Sequence, residues 1–96
     1  MYDNYNMYEI EYKDGKKELI DRTRVCQYRI ESENIDINPG IHIYGTGAGV
    51  DYIVESLRRN KPIIIFRNIG ITDHSDIERI INTHDIRAII PKHKTR

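Results

Sequence analysis

The stretch Ile41-His42-Ile43-Tyr44-Gly45-Thr46-Gly47-Ala48-Gly49 decides the fold prediction for this chain. Four residues of strand character run directly into a glycine-rich turn, and a helical period follows the turn. Its apolar residues have the spacing of one helix stripe that ends near Asn60: Val50, Ile53, Val54 and Leu57. The sequence therefore predicts a strand, a glycine-rich turn and a helix in direct succession.

Further segments extend this unit towards residue 96. Pro62-Ile63-Ile64-Ile65-Phe66 is a continuous apolar run of strand length, as in a parallel strand covered on both faces. Ser75 and Glu78 have the spacing of a capping box, so we expect a second helix that turns Ile77, Ile80 and Ile81 inward. Arg87 to Ile90 is the last predicted strand. Residues 41–96 are therefore predicted to form a Rossmann-like βαβαβ unit with a parallel sheet.

Residues 1–40 are predicted to be mainly β. Apolar and acidic residues alternate from Met7 to Tyr12, and Asp14-Gly15 is a residue pair that favours a hairpin turn. Lys17 to Ile20 is the returning strand, and Arg24 to Ser32 is a third strand. The fold class that follows is α/β: a single domain of residues 1–96 in which an N-terminal antiparallel hairpin and strands precede the βαβαβ unit.

Length and composition limit the classes of protein to consider. The chain has 96 residues, and 15 basic residues balance 15 acidic ones, which argues against nucleic acid as a partner. No apolar run approaches the roughly 18–20 residues of a membrane span, and no secretory leader is visible. The single cysteine, Cys26, is expected in the core, and it favours a cytoplasmic location. A domain this small is also expected to form a homodimer or a higher homo-oligomer.

The glycine-rich turn is the predicted ligand site. Unpaired N–H groups at the start of a helix attract anions, and glycines let the backbone approach a phosphate closely. The spacing Gly45-x-Gly47-x-Gly49 is not that of the dinucleotide fingerprint, and no Gly-Lys-Ser/Thr of a P-loop follows. Alternatively, the glycines only permit a tight turn. The residues predicted to bind phosphate here are Gly45, Thr46, Gly47, Ala48 and Gly49.

Three further residues are predicted at the same edge of the sheet. Arg67 and Asn68 end the second parallel strand, where a dinucleotide-binding fold has an acidic residue, so NAD is disfavoured. Arg67 could pair a phosphate bidentately, or it could be a surface arginine paired with an acid. His74 begins the second crossover and could face the same crevice, or could be a capping or solvent residue. No spacing indicates a metal site, a cofactor or a catalytic set.

Residues 41–78 carry a resemblance to a known family. A glycine-rich turn precedes a helix with Glu55-Ser56-Leu57, then Asn60-Lys61-Pro62 and an apolar strand that ends in Arg67-Asn68. This order resembles the donor-binding half of GT-B glycosyltransferases that use UDP-GlcNAc. The resemblance implies that Gly47 and Gly49 hold a pyrophosphate and that Glu55 holds the ribose hydroxyls. The architecture is alternatively similar to small uncharacterised α/β domains with a Gly-Thr-Gly turn.

Three functions are compatible with these features. The first is a small protein that binds a nucleotide or another phosphorylated small molecule at the turn, without turnover. The second is a nucleotide-sugar transferase or hydrolase subunit that completes its site with a partner chain. The third is a structural or protein-interaction module, such as a viral or mobile-element accessory protein, whose glycine-rich turn has no ligand.

Overall fold

A computed structural model describes residues 5–31, 40–67 and 74–94 of the chain. These residues form seven strands and one α-helix. In chain order the elements are β1 (Met7–Tyr12), β2 (Lys17–Asp21), β3 (Cys26–Glu31), β4 (Gly40–Thr46), α1 (Val50–Arg58), β5 (Ile63–Phe66), β6 (Ile77–Ile81) and β7 (Ile86–Lys92).

The N-terminal hairpin forms as predicted. β1 pairs antiparallel with β2, with Met7 opposite Asp21 and Glu11 opposite Lys17. Gly15 takes a φ of +92° in the connecting turn, a conformation that glycine adopts without a Cβ penalty. The Asp14 side chain accepts a hydrogen bond from the Lys16 N–H at 2.9 Å and so closes the turn.

All strand pairs in the described residues are antiparallel, so the predicted α/β class with a parallel, Rossmann-like sheet is wrong. β1 lies between β2 and β7 in a three-stranded sheet, while β3 pairs with β4 and β5 pairs with β6. An isolated antiparallel bridge between Val25 and Ile65 connects the β3–β4 pair to the β5–β6 pair. The protein is mostly β, and α1 is the single α-helix of its described part.

The fold prediction is wrong because of the segment that follows residue 73. Ser75 belongs to a short 3₁₀ turn, and residues 77–81 form a strand in place of the predicted second helix. Ile77 and Ile81 pack against the core, whereas Ile80 is 56% exposed, so the three isoleucines do not share one helical face. β-branched residues favour strands, and without a crossover helix adjacent strands pair antiparallel.

β5 is the central strand of the core, and its burial on both faces is confirmed. All four of its residues are buried. Ile63 and Ile65 contribute to one apolar cluster, which also contains Tyr8, Ile10, Ile20, Ile53 and Ile81. Ile64 and Phe66 contribute to a second cluster, together with Cys26 and Tyr28. The continuous apolar run thus indicated two covered faces correctly, although the neighbouring strands are antiparallel.

The helix that was predicted after the glycines is present as α1. Ile53 is buried, and Val50 and Leu57 pack against the first apolar cluster, as the predicted stripe requires. Val54, the fourth residue of that stripe, is 47% exposed, while Ser56 is buried. The helix ends close to the predicted Asn60, which has a φ of +56°.

Two corners of the same construction carry the chain from one sheet into another. Asp21 ends β2 and accepts the Thr23 N–H at 2.9 Å, and a single 3₁₀ turn then leads towards β3. Asn82 follows β6 and accepts the His84 N–H at 3.0 Å, and a 3₁₀ turn again leads into the next strand, β7. In both corners a short side chain accepts a hydrogen bond from the backbone N–H two residues later, and this bond stabilises the turn.

Candidate functional site

The glycine-rich turn joins the end of β4 to the start of α1. Gly45 and Thr46 are the last residues of β4, and Gly49 is the N-cap of the helix with an extended backbone. Gly47 takes a φ of +79°, and a Cβ built at this position would have no neighbouring atom within 4 Å. The backbone conformation, and not a close neighbour, therefore requires glycine at position 47.

Hydrogen bonds attach this turn to other segments of the chain. Ala48 is completely buried, its N–H donates to the Val25 carbonyl at 3.2 Å, and its carbonyl accepts from the Tyr8 hydroxyl at 2.7 Å. The Val50 N–H at the start of α1 donates to the Tyr5 hydroxyl at 3.1 Å. One of the N–H groups expected to face a phosphate, that of Ala48, is thus already bound by a protein acceptor.

An open pocket of about 250 Å³ lies against the turn. We call it the Arg22 pocket, and the residues that line it are Tyr5, Asn6, Arg22, Thr23 and Gly47. It contains one residue of the predicted site, Gly47, together with two residues that precede β1 and two from the first corner. The turn that was predicted as a ligand site therefore does border a pocket, but with different neighbours.

The guanidinium of Arg22 is the charged group of this pocket, and two contacts hold it. Its Cζ lies 4.4 Å from the centroid of the Tyr5 ring, within the range of a cation–π interaction. Its Nε–H donates to the Gly47 carbonyl at 3.3 Å. The two terminal amino groups of Arg22 donate to no acceptor among residues 5–31, 40–67 and 74–94. They are therefore positioned donors that a ligand can use.

The polar walls of the pocket are fixed by protein partners. The Asn6 amide donates to the Lys94 carbonyl and accepts from the Lys94 N–H, both at 2.9 Å. The Thr23 hydroxyl donates to Asp21 Oδ1 at 2.5 Å. The Asp21 carboxylate thereby places a negative charge next to Thr23, and this charge partly offsets that of Arg22.

Below the turn, a buried phenol keeps its proton. Tyr8 is 1% exposed, and burial raises the pKa of its phenol far above the usual value. The hydrogen bond to Tyr5 raises this pKa further, while the positive charge of Arg22 acts in the opposite direction. The Tyr8 hydroxyl therefore remains a donor to the Ala48 carbonyl at neutral pH.

Glu55, which the resemblance assigns to ribose binding, is paired within its own helix. Its Oε1 accepts from Arg59 Nε at 2.5 Å, and its Oε2 lies 3.6 Å from a terminal nitrogen of Arg58. This spacing of three and four residues is typical of ion pairs on an exposed helix surface. The Glu55 carboxylate thus has two cationic partners that hold it along α1.

The other predicted residues lie beyond the end of β5. Arg67 is exposed, and its backbone N–H donates to the Asp76 carbonyl at 2.8 Å. Asn68 lies outside the described residues. His74 begins a 3₁₀ turn, and its side chain is outside the described part as well. Arg67 is not among the described residues that line the Arg22 pocket.

Sequence reasoning missed the four other residues of the pocket. Arg22 and Gly47 are 25 residues apart, and Tyr5 and Val50 are 45 residues apart. No spacing rule connects positions so distant, because their proximity depends on how the sheets pack. The available signal was local: Asp21-Arg22-Thr23 directly after an alternating strand is typical of a capped turn, where loops often carry functional side chains.

The prediction of a Rossmann-like nucleotide site is wrong in its structural premise. Such sites lie beyond the carboxyl ends of parallel strands, where the strand order reverses. The described strands form only antiparallel pairs. The pocket of about 250 Å³ is also smaller than the roughly 300–1,000 Å³ of pockets that enclose a complete small molecule. Nucleotide binding therefore has no support in this structure.

A second cluster of charged side chains connects β2 to β6. Arg79 donates to Glu18 at 2.8 Å and to Glu78 at 3.3 Å, and Arg24 donates to Glu78 at 2.9 Å. Burial raises the pKa of Glu18, but its hydrogen bonds with Arg79 and Tyr12 outweigh this and lower the pKa overall. Burial, followed by the Glu18 contact, raises the pKa of Tyr12 to about 12. Burial and mutual pairing thus account for both shifts.

No family model matches the chain, and no curated protein or solved structure is significantly similar to it. Among the described residues, no group of three or more histidine, cysteine, aspartate or glutamate side chains could hold a metal ion. No helix in the same ranges is both long and apolar enough to cross a membrane.

Proposed function

We propose that this protein binds a small phosphate-bearing ligand in the Arg22 pocket and catalyses no reaction on it. The observation that carries the proposal is the state of the Arg22 guanidinium. Tyr5 and the Gly47 carbonyl hold it at the pocket, while its terminal amino groups have no acceptor in the described parts of the chain. A guanidinium in this state matches the paired oxygens of a phosphate or a carboxylate.

The size of the pocket favours a phosphate group over a whole nucleotide. A volume of about 250 Å³ accommodates the phosphate itself, and the open mouth leaves the remainder of the ligand outside. The start of α1 lies next to the pocket through the bond between Val50 N–H and Tyr5, and the helix dipole adds positive potential there. The limited volume favours a small group, and the helix dipole favours a negatively charged one.

The lining side chains support binding without turnover. Tyr5, Asn6, Arg22 and Thr23 contribute hydrogen-bonding groups and one positive charge. They contribute no carboxylate, imidazole or thiol that could act as a general base or nucleophile. The adjacent acid in sequence, Asp21, is bonded to Thr23 and caps the corner.

A titration with inorganic phosphate and a simple phosphate monoester, followed by amide chemical shifts, tests the proposal. We expect the shifts to centre on Gly47 and Thr23. Arg22→Ala should weaken binding about ten- to a hundredfold, the range for a hydrogen bond to a charged group, and Arg22→Lys should retain part of the affinity. The matched control is Arg58→Ala, which removes the same charge from a side chain that is 73% exposed on α1.

The comparison of these variants decides the outcome. If Arg22→Ala and Arg58→Ala weaken phosphate binding equally, the effect comes from net charge alone, and the proposed binding in the Arg22 pocket is wrong. Shifts that centre on Arg67 in place of Gly47 would refute it as well.

We also propose a cytoplasmic location, which rests on Cys26. This thiol is free and 1% exposed, and a lone buried cysteine is ordinary in a reducing compartment. Fractionation of the source cells with an antibody against the chain tests this, and recovery from an extracellular fraction would contradict it.

A further inference from the structure

The β1–β2 ladder determines which backbone groups of β2 point away from the sheet. The Tyr12 N–H donates to the Lys16 carbonyl at 2.8 Å, and the Arg22 N–H donates to the Asn6 carbonyl at 3.0 Å. Hydrogen-bonded and non-hydrogen-bonded pairs alternate along an antiparallel ladder. The even-numbered residues of β2 therefore bond to β1, and the odd-numbered residues direct their N–H and C=O groups outward.

The residues of β2 whose backbone N–H and C=O groups point away from β1 are Lys17, Leu19 and Asp21. β2 is the terminal strand of its sheet, which has the order β2-β1-β7, and no other described strand pairs with it. Leu19 is 44% exposed, and Lys17 is exposed too. β2 thus presents an open edge with an apolar side chain at its centre, which is the kind of edge that pairs with another strand.

The opposite edge of the same sheet, β7, is protected. Met7 stands opposite Lys92 and Glu9 opposite Ile90, so by the same alternation Ile89 and Pro91 direct their backbone groups outward. Pro91 has no N–H to donate, and proline on an edge strand prevents continuous pairing. Of these two edges, β2 is the one that can accept a further strand.

The sequence of the β2 edge is complementary to itself. If two copies of Lys-Glu-Leu-Ile-Asp pair antiparallel about Leu19, each Lys17 faces the Asp21 of the second copy, and the two Leu19 side chains meet. These are the residues with outward-directed backbone groups, so the same register satisfies both the hydrogen bonds and the charges. Glu11 stands opposite Lys17 within the chain, so the charges alternate across the junction.

We infer that a second copy of this chain docks on β2. The two β2 strands pair antiparallel about a two-fold axis at Leu19 and join both sheets into one continuous sheet of six strands. This isologous contact is self-contained and does not extend into a filament, because each copy uses its open edge once and the other edge is blocked by Pro91. The inference does not depend on the ligand of the Arg22 pocket.

Disulfide trapping tests the position of the axis. In a hydrogen-bonded antiparallel pair the Cα atoms lie about 5.5 Å apart, within the range that a disulfide spans. Leu19→Cys should therefore form a disulfide-linked dimer under mild oxidation. Ile90→Cys is the matched control, because Ile90 is 39% exposed on the same face but lies on β7. The native Cys26 does not compete, since it is buried.

Sedimentation of the wild type and of two lysine variants gives an independent measurement. We expect a concentration-dependent dimer, and Leu19→Lys should raise its dissociation constant about tenfold or more, because two lysines then face each other at the axis. Ile90→Lys should leave the constant unchanged. A wild type that stays monomeric up to its solubility limit overturns the inference, as does equally rapid trapping through positions 19 and 90.

Discussion

Raising the pH should unfold this protein, because its folded state holds protons that the unfolded chain releases. The free energy of unfolding should therefore fall steeply with alkaline pH. Tyr8, Tyr28 and Cys26 are each 1% exposed, and burial raises the pKa of all three groups, that of the Cys26 thiol to about 11. The unfolded chain ionises first in each case, so the folded state binds more protons at alkaline pH. The stability from these groups is complete below the unfolded pKa values and is lost as the pH rises above them.

A lower limit for the magnitude follows from these three groups, and the raised pKa of Tyr12 adds to it. With reference pKa values of 10.0 for tyrosine and 9.0 for cysteine, each phenol costs about 1.4 kcal/mol at roughly pH 11. The thiol costs about 2 kcal/mol at the same pH, because its folded and unfolded pKa values differ by about two units. The sum of about 5 kcal/mol approaches the total stability expected of a domain this size, roughly 5–15 kcal/mol. We therefore expect an unfolding midpoint not far above pH 11.

Circular dichroism and the near-ultraviolet absorbance of tyrosinate, recorded in one alkaline titration, check this expectation. The absorbance of the buried phenols should rise together with the loss of secondary structure. Tyr28→Phe removes one linked proton, so stability should fall less steeply with pH, by about 1.4 kcal/mol per pH unit. The variant also loses the 2.6 Å bond to the Pro62 carbonyl, which lowers stability at every pH but does not alter the slope. Ionisation of all the tyrosines near pH 10 with the fold intact would refute the reasoning.

Two substitutions test smaller features by chemical denaturation. Gly47→Ala should cost about 1–2 kcal/mol because of the positive φ at this position, whereas Gly45→Ala, which has equal space and no positive φ, should cost clearly less; equal costs would contradict the conformational argument. Tyr52→Phe should cost about 2–3 kcal/mol and accelerate hydrogen exchange at the Tyr28 amide, because the Tyr52 hydroxyl accepts the Tyr28 N–H and donates to the Tyr28 carbonyl, both at 3.0 Å. A loss below about 0.5 kcal/mol would show that other groups or water satisfy these atoms.

Local patterns predicted the local structure well. The alternation before Asp14-Gly15 produced the hairpin, and the stripe after Gly49 produced α1. The run of Ile63 to Phe66 is buried on both faces, as its composition indicates. In each of these segments the apolar spacing has one period only, and the neighbouring turn residues agree with it.

The overall topology could not be predicted from local patterns in the same way. Residues 75–81 combine a capping-box spacing with an isoleucine-rich run, and these signals point to different structures. The strand prevails because Ile81 pairs opposite Ile63 and Ile77 opposite Phe66, and both contact the core. Once that helix is lost, the parallel arrangement has no crossover, and antiparallel pairing follows.

The candidate site was likewise only partly predictable from the sequence. Gly47 was predicted from the turn that it forms, and it does line the pocket. Arg22 was not predicted, because its contact with Gly47 depends on the packing of the first corner against the β4–α1 turn. Chemistry that resides in one segment is visible in a sequence, whereas chemistry shared between distant segments requires the fold.

The pairing of the first described strand with the last has a consequence for synthesis of the chain. Asn6 and Lys94, which exchange two hydrogen bonds, are 88 residues apart, and β1 remains without its second neighbour until β7 has left the ribosome. A lone two-stranded hairpin is marginally stable in water. The β1–β2 hairpin should therefore not persist by itself in the nascent chain, and this sheet should form late, at the slow rate typical of long-range strand pairing.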